Sequence, residues 1–134
     1  MASLFTRIVK GEIPCHKILE NEKYLAFLDI RPINPGHTLV ITKKEIDYIF
    51  DVEDELLSGL MVFAKQVAKM IQKEVPCKKV GIMVAGLEVP HVHIHLVPIF
   101  DVHDLNFAKA QPTPPEELAK VAEKIRSHAK EAKV

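Results

Sequence analysis

The sequence predicts an α+β domain, with an antiparallel sheet of about five strands and one long helix across a face. Residues 91–97 alternate histidine with aliphatic residues, which is the two-residue period of a strand. Residues 54–73 carry apolar residues at helical spacing, long enough to cross a sheet. Short apolar runs separated by turn residues supply the other strands. Together these patterns place strands and helices around one core.

The first forty residues predict one helix and three strands. Ser3 can cap a short amphipathic helix that ends near Gly11. Residues 17–28 read as two short strands joined at Asn21-Glu22. Residues 29–36 hold two prolines, an asparagine and a glycine, which is turn chemistry, and residues 37–42 form a β-branched strand.

The second half predicts two helices and the remaining strands. Asp51 is the expected cap of a helix running to about Lys73, with a buried stripe of Leu56, Leu57, Leu60, Phe63, Ala64, Val67 and Ile71. Residues 78–85 are a further strand, and prolines 90 and 98 are expected to bracket the histidine strand. Residues 113–116 read as a capping box that starts a C-terminal helix after a surface loop over 101–115.

The length and the charge balance of the chain limit the kinds of protein that this sequence can encode. The 134 residues fit a single domain, 1–134, with its core at about 3–100 and an added loop and helix at 101–134. Eighteen basic residues balance eighteen acidic ones, so no basic stripe indicates nucleic-acid binding. No apolar run reaches membrane-spanning length. Two isolated cysteines and the absence of a signal-peptide pattern lead us to expect a cytoplasmic protein.

The alternating histidines admit three interpretations. His91, His93 and His95 could simply face solvent on one side of a strand, although histidine is not a favoured strand residue. Two histidines at i and i+2 could bind one zinc ion, but no cysteine pair or further ligand motif completes such a site. A neutral imidazole could instead act as a nucleophile towards phosphorus, with its neighbours fixing the tautomer.

The segment His91-Val92-His93-Ile94-His95-Leu96-Val97 resembles the signature of the histidine triad (HIT) superfamily. The order of the other motifs resembles its Hint branch in the bacterial form: Gly11-Glu12-Ile13-Pro14, Ala26-Phe27-Leu28-Asp29-Ile30 and residues 35–41. The resemblance implies a homodimer that joins two sheets into one of ten strands. It also implies hydrolysis or transfer at the α-phosphate of a purine nucleotide, with no cofactor.

The resemblance also implies roles for individual residues. His93 would be the nucleophile and form a covalent nucleotidyl-histidine. The carbonyl of His91 would accept the other ring proton of His93. His95 would bind phosphate oxygens near the leaving group, and His37 would complete the proton network.

A nucleotide site is implied by the same comparison. Asp29 matches the position that binds both ribose hydroxyls, although aspartate is also common in turns. An apolar slot for the base would be formed by Leu4, Phe5, Ile8, Phe27, Leu28 and Ile30. Backbone N–H groups of Glu88 and Val89 could contact phosphate.

The chain departs from its relatives at two places. Many carry a Cys-x-x-Cys pair that binds structural zinc where this chain has Ser3 and Thr6, so we expect no metal. The loop before the histidines is shorter here, Leu87 replaces a glutamine, and Glu88 stands where a phosphate-contacting Ser or Thr can sit. The altered leaving-group side keeps an alternative open: a nucleotide-binding sensing or scaffold module with weak turnover.

Overall fold

A single antiparallel sheet with strand order β1-β2-β3-β5-β4 is the framework of the molecule in the computed structural model, which describes residues 2–129. The strands are β1 (Lys17–Glu20), β2 (Tyr24–Leu28), β3 (Thr38–Thr42), β4 (Lys79–Met83) and β5 (His93–Ile99). The helices are α1 (Leu4–Val9), α2 (Asp54–Glu74) and α3 (Pro115–Arg126). The predicted α+β class and the five-stranded sheet are confirmed. Residues 1 and 130–134 of the predicted domain lie outside the described residues.

The two faces of the sheet carry different cores. On one face, α2 and α3 bury the larger apolar cluster, which includes Leu60, Phe63 and Ile71 of α2. On the other face, α1 closes a smaller cluster through Phe5. Strand alternation sends Ile94 and Leu96 of β5 into the larger core, as their spacing predicts. The opposite side of β5 is therefore left for the histidines.

Two predicted helix caps are wrong. Asp51 lies in a single turn of 3-10 helix, and α2 begins after Glu53, because buried Val52 keeps the intervening backbone extended. The capping box at residues 113–116 does not form, and α3 begins after Pro114 without a side-chain cap. Thr113 instead donates its backbone N–H to the carbonyl of Ile30, which ties this segment to the turn after β2.

The limits of the histidine strand also differ from expectation. His91 precedes β5 rather than lying in it, and Pro98 lies inside β5 opposite Val80 of β4. Pro98 is tolerated because β3 pairs with β5 only as far as Leu96, so no β3 residue needs its missing N–H. The side chain of Asn34 donates to the Pro98 carbonyl instead. Within residues 2–129, no helix has the length and apolar character needed to cross a bilayer.

Candidate active site

Four histidines meet on the face of the sheet that α1 covers. In the β3–β5 ladder His93 lies opposite Ile41 and His95 opposite Leu39, and His37 directly precedes β3. His91 joins them from the segment before β5. All four side chains are buried, so the interpretation that they merely face solvent is wrong. Buried imidazoles need hydrogen-bond partners, and those partners define the tautomers.

The tautomer of His93 follows from its partner. Its Nδ1 lies 2.7 Å from the backbone carbonyl oxygen of His91, which can only accept a hydrogen bond. Nδ1 therefore carries the proton, and Nε2 of the neutral ring keeps its lone pair. The edge of the Phe5 ring packs on the imidazole with the ring centroids 5.0 Å apart. His93 thus presents a free basic nitrogen from a fixed ring.

A directional proton chain links His37 to His95. The backbone N–H of Ile33 donates to Nδ1 of His37 over 3.0 Å, which makes that nitrogen an acceptor. In the neutral ring the proton is then on Nε2 of His37, which donates to Nδ1 of His95 over 2.9 Å. His95 consequently carries its own proton on Nε2. The His95 ring centroid is 4.9 Å from that of His93, so the ring that carries the Nε2–H donor packs against the ring with the unprotonated nitrogen.

Burial keeps three of the four rings neutral. Desolvation lowers the pKa of His95 to about 3, reinforced by the nearby His37 and His93. Burial also lowers the pKa of His37, against the attraction of the Asp29 carboxylate, and lowers the pKa of His91. At neutral pH these three rings are therefore uncharged, as the tautomer assignments require.

The turn before β3 positions His37 and Asp29 together. Gly36 has φ +93°, in the left-handed region, and an added Cβ there would lie 2.9 Å from a methyl group of Val75. One carboxylate oxygen of Asp29 accepts the N–H of Arg31, and the other lies 3.6 Å from Nε2 of His37. Asp29 is thus a turn residue that also borders the histidine pair.

The apolar residues proposed for a base slot separate into three groups. Phe5, Ile8 and Phe27 belong to the smaller cluster beside the histidines. Leu4 and Ile30 are exposed, Ile30 to 64%. Leu28 does not belong to this slot, because strand alternation turns its side chain into the larger core on the opposite face.

The short loop before the histidines leaves Glu88 exposed and Val89 half-buried. The carbonyl of Val89 accepts the N–H of His91 at 2.8 Å. Among the described residues, no partner is seen for the backbone N–H groups of Glu88 and Val89. Both donors are therefore available to a ligand.

Sequence reasoning missed Phe107 and the hydroxyl partners of His91. Phe107 belongs to a single turn of 3-10 helix in the loop after β5, is 47% exposed, and lays its ring edge against His95 with centroids 4.9 Å apart. An aromatic residue in an otherwise polar loop was the available signal. Ser3 and Thr6 approach His91 from α1, and only their match to the cysteine positions of relatives indicated them.

A cleft of about 420 Å³ opens between the turn before β3 and the start of α3. Asp29 and His37 form one wall, and Thr113, Leu118 and Val121 lie on the other side. His93 does not line it. The C-terminal helix thus borders the Asp29 side of the histidine cluster.

Two groups of side chains are candidates for binding a metal ion. Ser3, Thr6, Glu45 and His91 offer two neutral hydroxyls where zinc favours thiolates, imidazoles and carboxylates, so this donor set does not fit structural zinc. Asp29, His37 and His95 place one ligand atom each within 4.8 Å of one another, the single such group among residues 2–129. The proton between the two rings accounts for their 2.9 Å contact without a metal.

The model of the HIT domain family matches residues 10–102, and the chain belongs to this family. The adenosine 5'-monophosphoramidase hnt1 of Schizosaccharomyces pombe is 35% identical over 133 residues, which cover 97% of this chain and all of that protein. The adenosine 5'-monophosphoramidase HNT1 of Saccharomyces cerevisiae is 39% identical over 99 residues, 72% of this chain and 62% of that protein.

Solved structures show the same fold. A Hit-like protein described as involved in cell-cycle regulation, from Bartonella henselae, superposes with TM-score 0.83 at 31% identity and covers 93% of this chain and 94% of its own. A Zn-bound histidine triad family protein from Mycobacterium smegmatis gives TM-score 0.83 at 27% identity, covering 98% and 95%. The fold and family expected from the histidine signature are therefore confirmed.

Proposed function

We propose that this protein hydrolyses purine nucleoside phosphoramidates, or transfers their nucleotidyl group, at the α-phosphate through a covalent intermediate on His93. The observation that carries the proposal is the bond from Nδ1 of His93 to the carbonyl of His91, which leaves Nε2 of the neutral ring unprotonated. The His95 ring, which carries its proton on Nε2, packs against the His93 ring. The names of the two yeast relatives favour a phosphoramidase. Hydrolysis of dinucleoside polyphosphates is the competing substrate class.

The chemistry has two displacements. Nε2 of His93 attacks the α-phosphorus, a P–N bond to His93 forms, and the bond to the leaving amine breaks. The amine departs with a proton delivered at Nε2 of His95, which is fixed there by the His37 chain. Water then attacks phosphorus, returns a proton to His95, and releases the nucleoside monophosphate and free His93.

The substrate's other parts are assigned to the neighbouring residues. The Asp29 carboxylate accepts from the two ribose hydroxyls, which a deoxyribose cannot match. The base lies against Phe5, Ile8 and Phe27 on its inner side and exposed Leu4 and Ile30 on its outer side. An extended apolar slot favours purines because they offer more stacking area. The N–H groups of Glu88 and Val89 bind phosphate oxygens.

We also propose that two copies join through α2 and the β4 edge to extend the sheet to ten strands, and that the protein works in the cytoplasm. Val62 of α2 is 55% exposed, and Ile82 of edge strand β4 is exposed as well. Light scattering of wild type and of Val62→Glu tests the assembly. A wild-type monomer at micromolar concentration contradicts it.

Turnover of an adenosine phosphoramidate and a diadenosine polyphosphate, compared with and without a chelator, tests the proposed function. We expect the phosphoramidate to be the faster substrate and the chelator to leave its rate unchanged. Measurable monophosphate binding with no turnover of either substrate would favour the nucleotide-binding module instead. Activity lost to the chelator and restored by zinc would overturn the metal-free mechanism.

A further inference from the structure

A second hydrogen-bond chain runs from Glu45 to His91, at the opposite end of the histidine row from His37. One oxygen of the Glu45 carboxylate accepts from the backbone N–H of Ser3 at 2.7 Å and from the Thr6 hydroxyl at 2.6 Å. The Ser3 hydroxyl accepts the N–H of Thr6 at 3.0 Å and lies 2.7 Å from Nδ1 of His91. The chain therefore connects an exposed carboxylate to a buried imidazole.

The direction of these bonds is determined at His91. Nε2 of His91 lies 2.6 Å from the carbonyl oxygen of Thr42, which can only accept, so Nε2 holds the proton. Nδ1 of the neutral ring must then accept, and the Ser3 hydroxyl is its donor. Both nitrogens of His91 are thus satisfied in a fully buried ring. Without Ser3, Nδ1 keeps only a long contact of 3.4 Å to the Thr6 hydroxyl.

His91 in turn determines the state of His93. The peptide carbonyl of His91 accepts the Nδ1 proton of His93, so a shift of the His91 backbone would weaken the bond that selects the nucleophilic tautomer. The His91 ring, anchored at both nitrogens by Ser3 and Thr42, opposes such a shift. Phe5 of α1 contacts both rings, with centroids 5.8 Å from His91 and 5.0 Å from His93. The same Ser3 that donates to His91 also caps α1 and so fixes Phe5.

We propose that Ser3, held by Thr6 and Glu45, is a positioning residue for the nucleophile His93, acting through His91. This inference rests on the proposed function. The hydroxyls of Ser3 and Thr6 do not suit zinc, but with Glu45 they form a hydrogen-bonded clamp. This clamp fixes the orientation of the His91 ring, as coordination to a metal would. A role for Ser3 as a helix cap alone would affect stability but not the tautomer of His93.

The test separates capping from positioning. Glycine is tolerated at a helix N-cap, so Ser3→Gly removes the hydroxyl while keeping the helix start, and Ser3→Thr restores a hydroxyl. We expect Ser3→Gly to slow formation of the nucleotidyl-enzyme about tenfold, as loss of a buried hydrogen bond does, with monophosphate affinity within about twofold. Ser3→Thr should recover most of the rate. A folded Ser3→Gly protein that reacts at the wild-type rate would overturn the proposal.

An imidazole 15N NMR spectrum provides a readout that does not need turnover. In wild type, His93 should be protonated at Nδ1 and His91 at Nε2. In Ser3→Gly the Nδ1 signal of His91 should shift because that nitrogen loses its donor, and His93 should show mixed tautomers because the His91 carbonyl is less firmly held. If wild type forms no adduct but the tautomers shift in Ser3→Gly, the proposed function fails while the clamp stands.

If Ser3→Gly does not fold, Glu45→Ala takes its place. Glu45→Gln is the control, because the side-chain amide oxygen of glutamine still accepts from the backbone N–H of Ser3. Unchanged His91 and His93 signals in Glu45→Ala would refute the clamp.

Discussion

The two faces of β5 are both buried, but their side chains are stabilised by different interactions. Ile94 and Leu96 are buried in an apolar core beneath α2, where carbon packs on carbon. His93 and His95, one residue away along the same strand, are nearly as buried but lie among rings and carbonyls that fix their protons. The first face holds the fold together. The second holds its imidazoles in fixed orientations, and burial lowers the pKa of His95 to about 3, so that this ring is neutral at pH 7.

The largest effect should come from the nucleophile. His93→Ala is expected to reduce turnover at least about a thousandfold, because it removes the imidazole whose unprotonated Nε2 is the proposed nucleophile. His103→Ala is the matched control, since that histidine is 85% exposed and lies in the loop after β5. Steady-state assays at matched protein concentration measure both. Equal rates for the two variants would remove His93 from the mechanism.

Substitution of Ile94, the residue next to His93 in β5, should affect stability and leave activity nearly unchanged. Ile94→Ala is expected to lower the free energy of unfolding by about 2–5 kcal/mol, because it leaves a cavity in the larger core. Its activity per folded molecule should remain near wild type. Urea unfolding of Ile94→Ala and His93→Ala measures the contrast. If His93→Ala were as destabilised as Ile94→Ala, the two faces would not differ in the way described.

Alternation along β5 was visible in the sequence, and it predicted correctly which residues share a face. The bond from His93 to the His91 carbonyl was expected from the family resemblance. The partners of the His91 ring itself were not visible, because they come from distant segments: Ser3 and His91 are 88 positions apart. Local patterns also failed where tertiary contacts overrode them. Buried Val52 moved the start of α2 away from Asp51, and the bond from Thr113 to Ile30 replaced a capping box.

Acid should lower the free energy of unfolding, because three of the buried histidines are neutral in the folded protein. The unfolded chain binds a proton at His95 below about pH 6.5, whereas the folded pKa is about 3, so stability falls as pH drops through this window. His95 alone should cost roughly 2 kcal/mol at pH 5, and the lowered pKa values of His37 and His91 act in the same direction. Urea unfolding at pH 7 and pH 5 measures this. Equal stability at both pH values would contradict neutral buried rings.

A smaller effect is expected from Phe107. Phe107 contacts His95, the residue proposed to lie near the leaving group, so Phe107→Ala should change relative rates for bulky and small amine leaving groups about threefold. Phe50→Ala is the control, because Phe50 is exposed and packs on Tyr48 instead. Kinetics with two phosphoramidates that differ only in the amine measure the ratio. The same ratio in both variants would place Phe107 outside the site.

The proposed covalent catalysis by His93 can be tested directly. Wild type and His93→Ala are mixed with excess adenosine phosphoramidate, quenched in alkali to preserve a P–N bond, and weighed intact. We expect an added adenylyl group on wild type within the first turnover and none on His93→Ala. Turnover with no adduct at any time point, or an adduct that persists in His93→Ala, would contradict it.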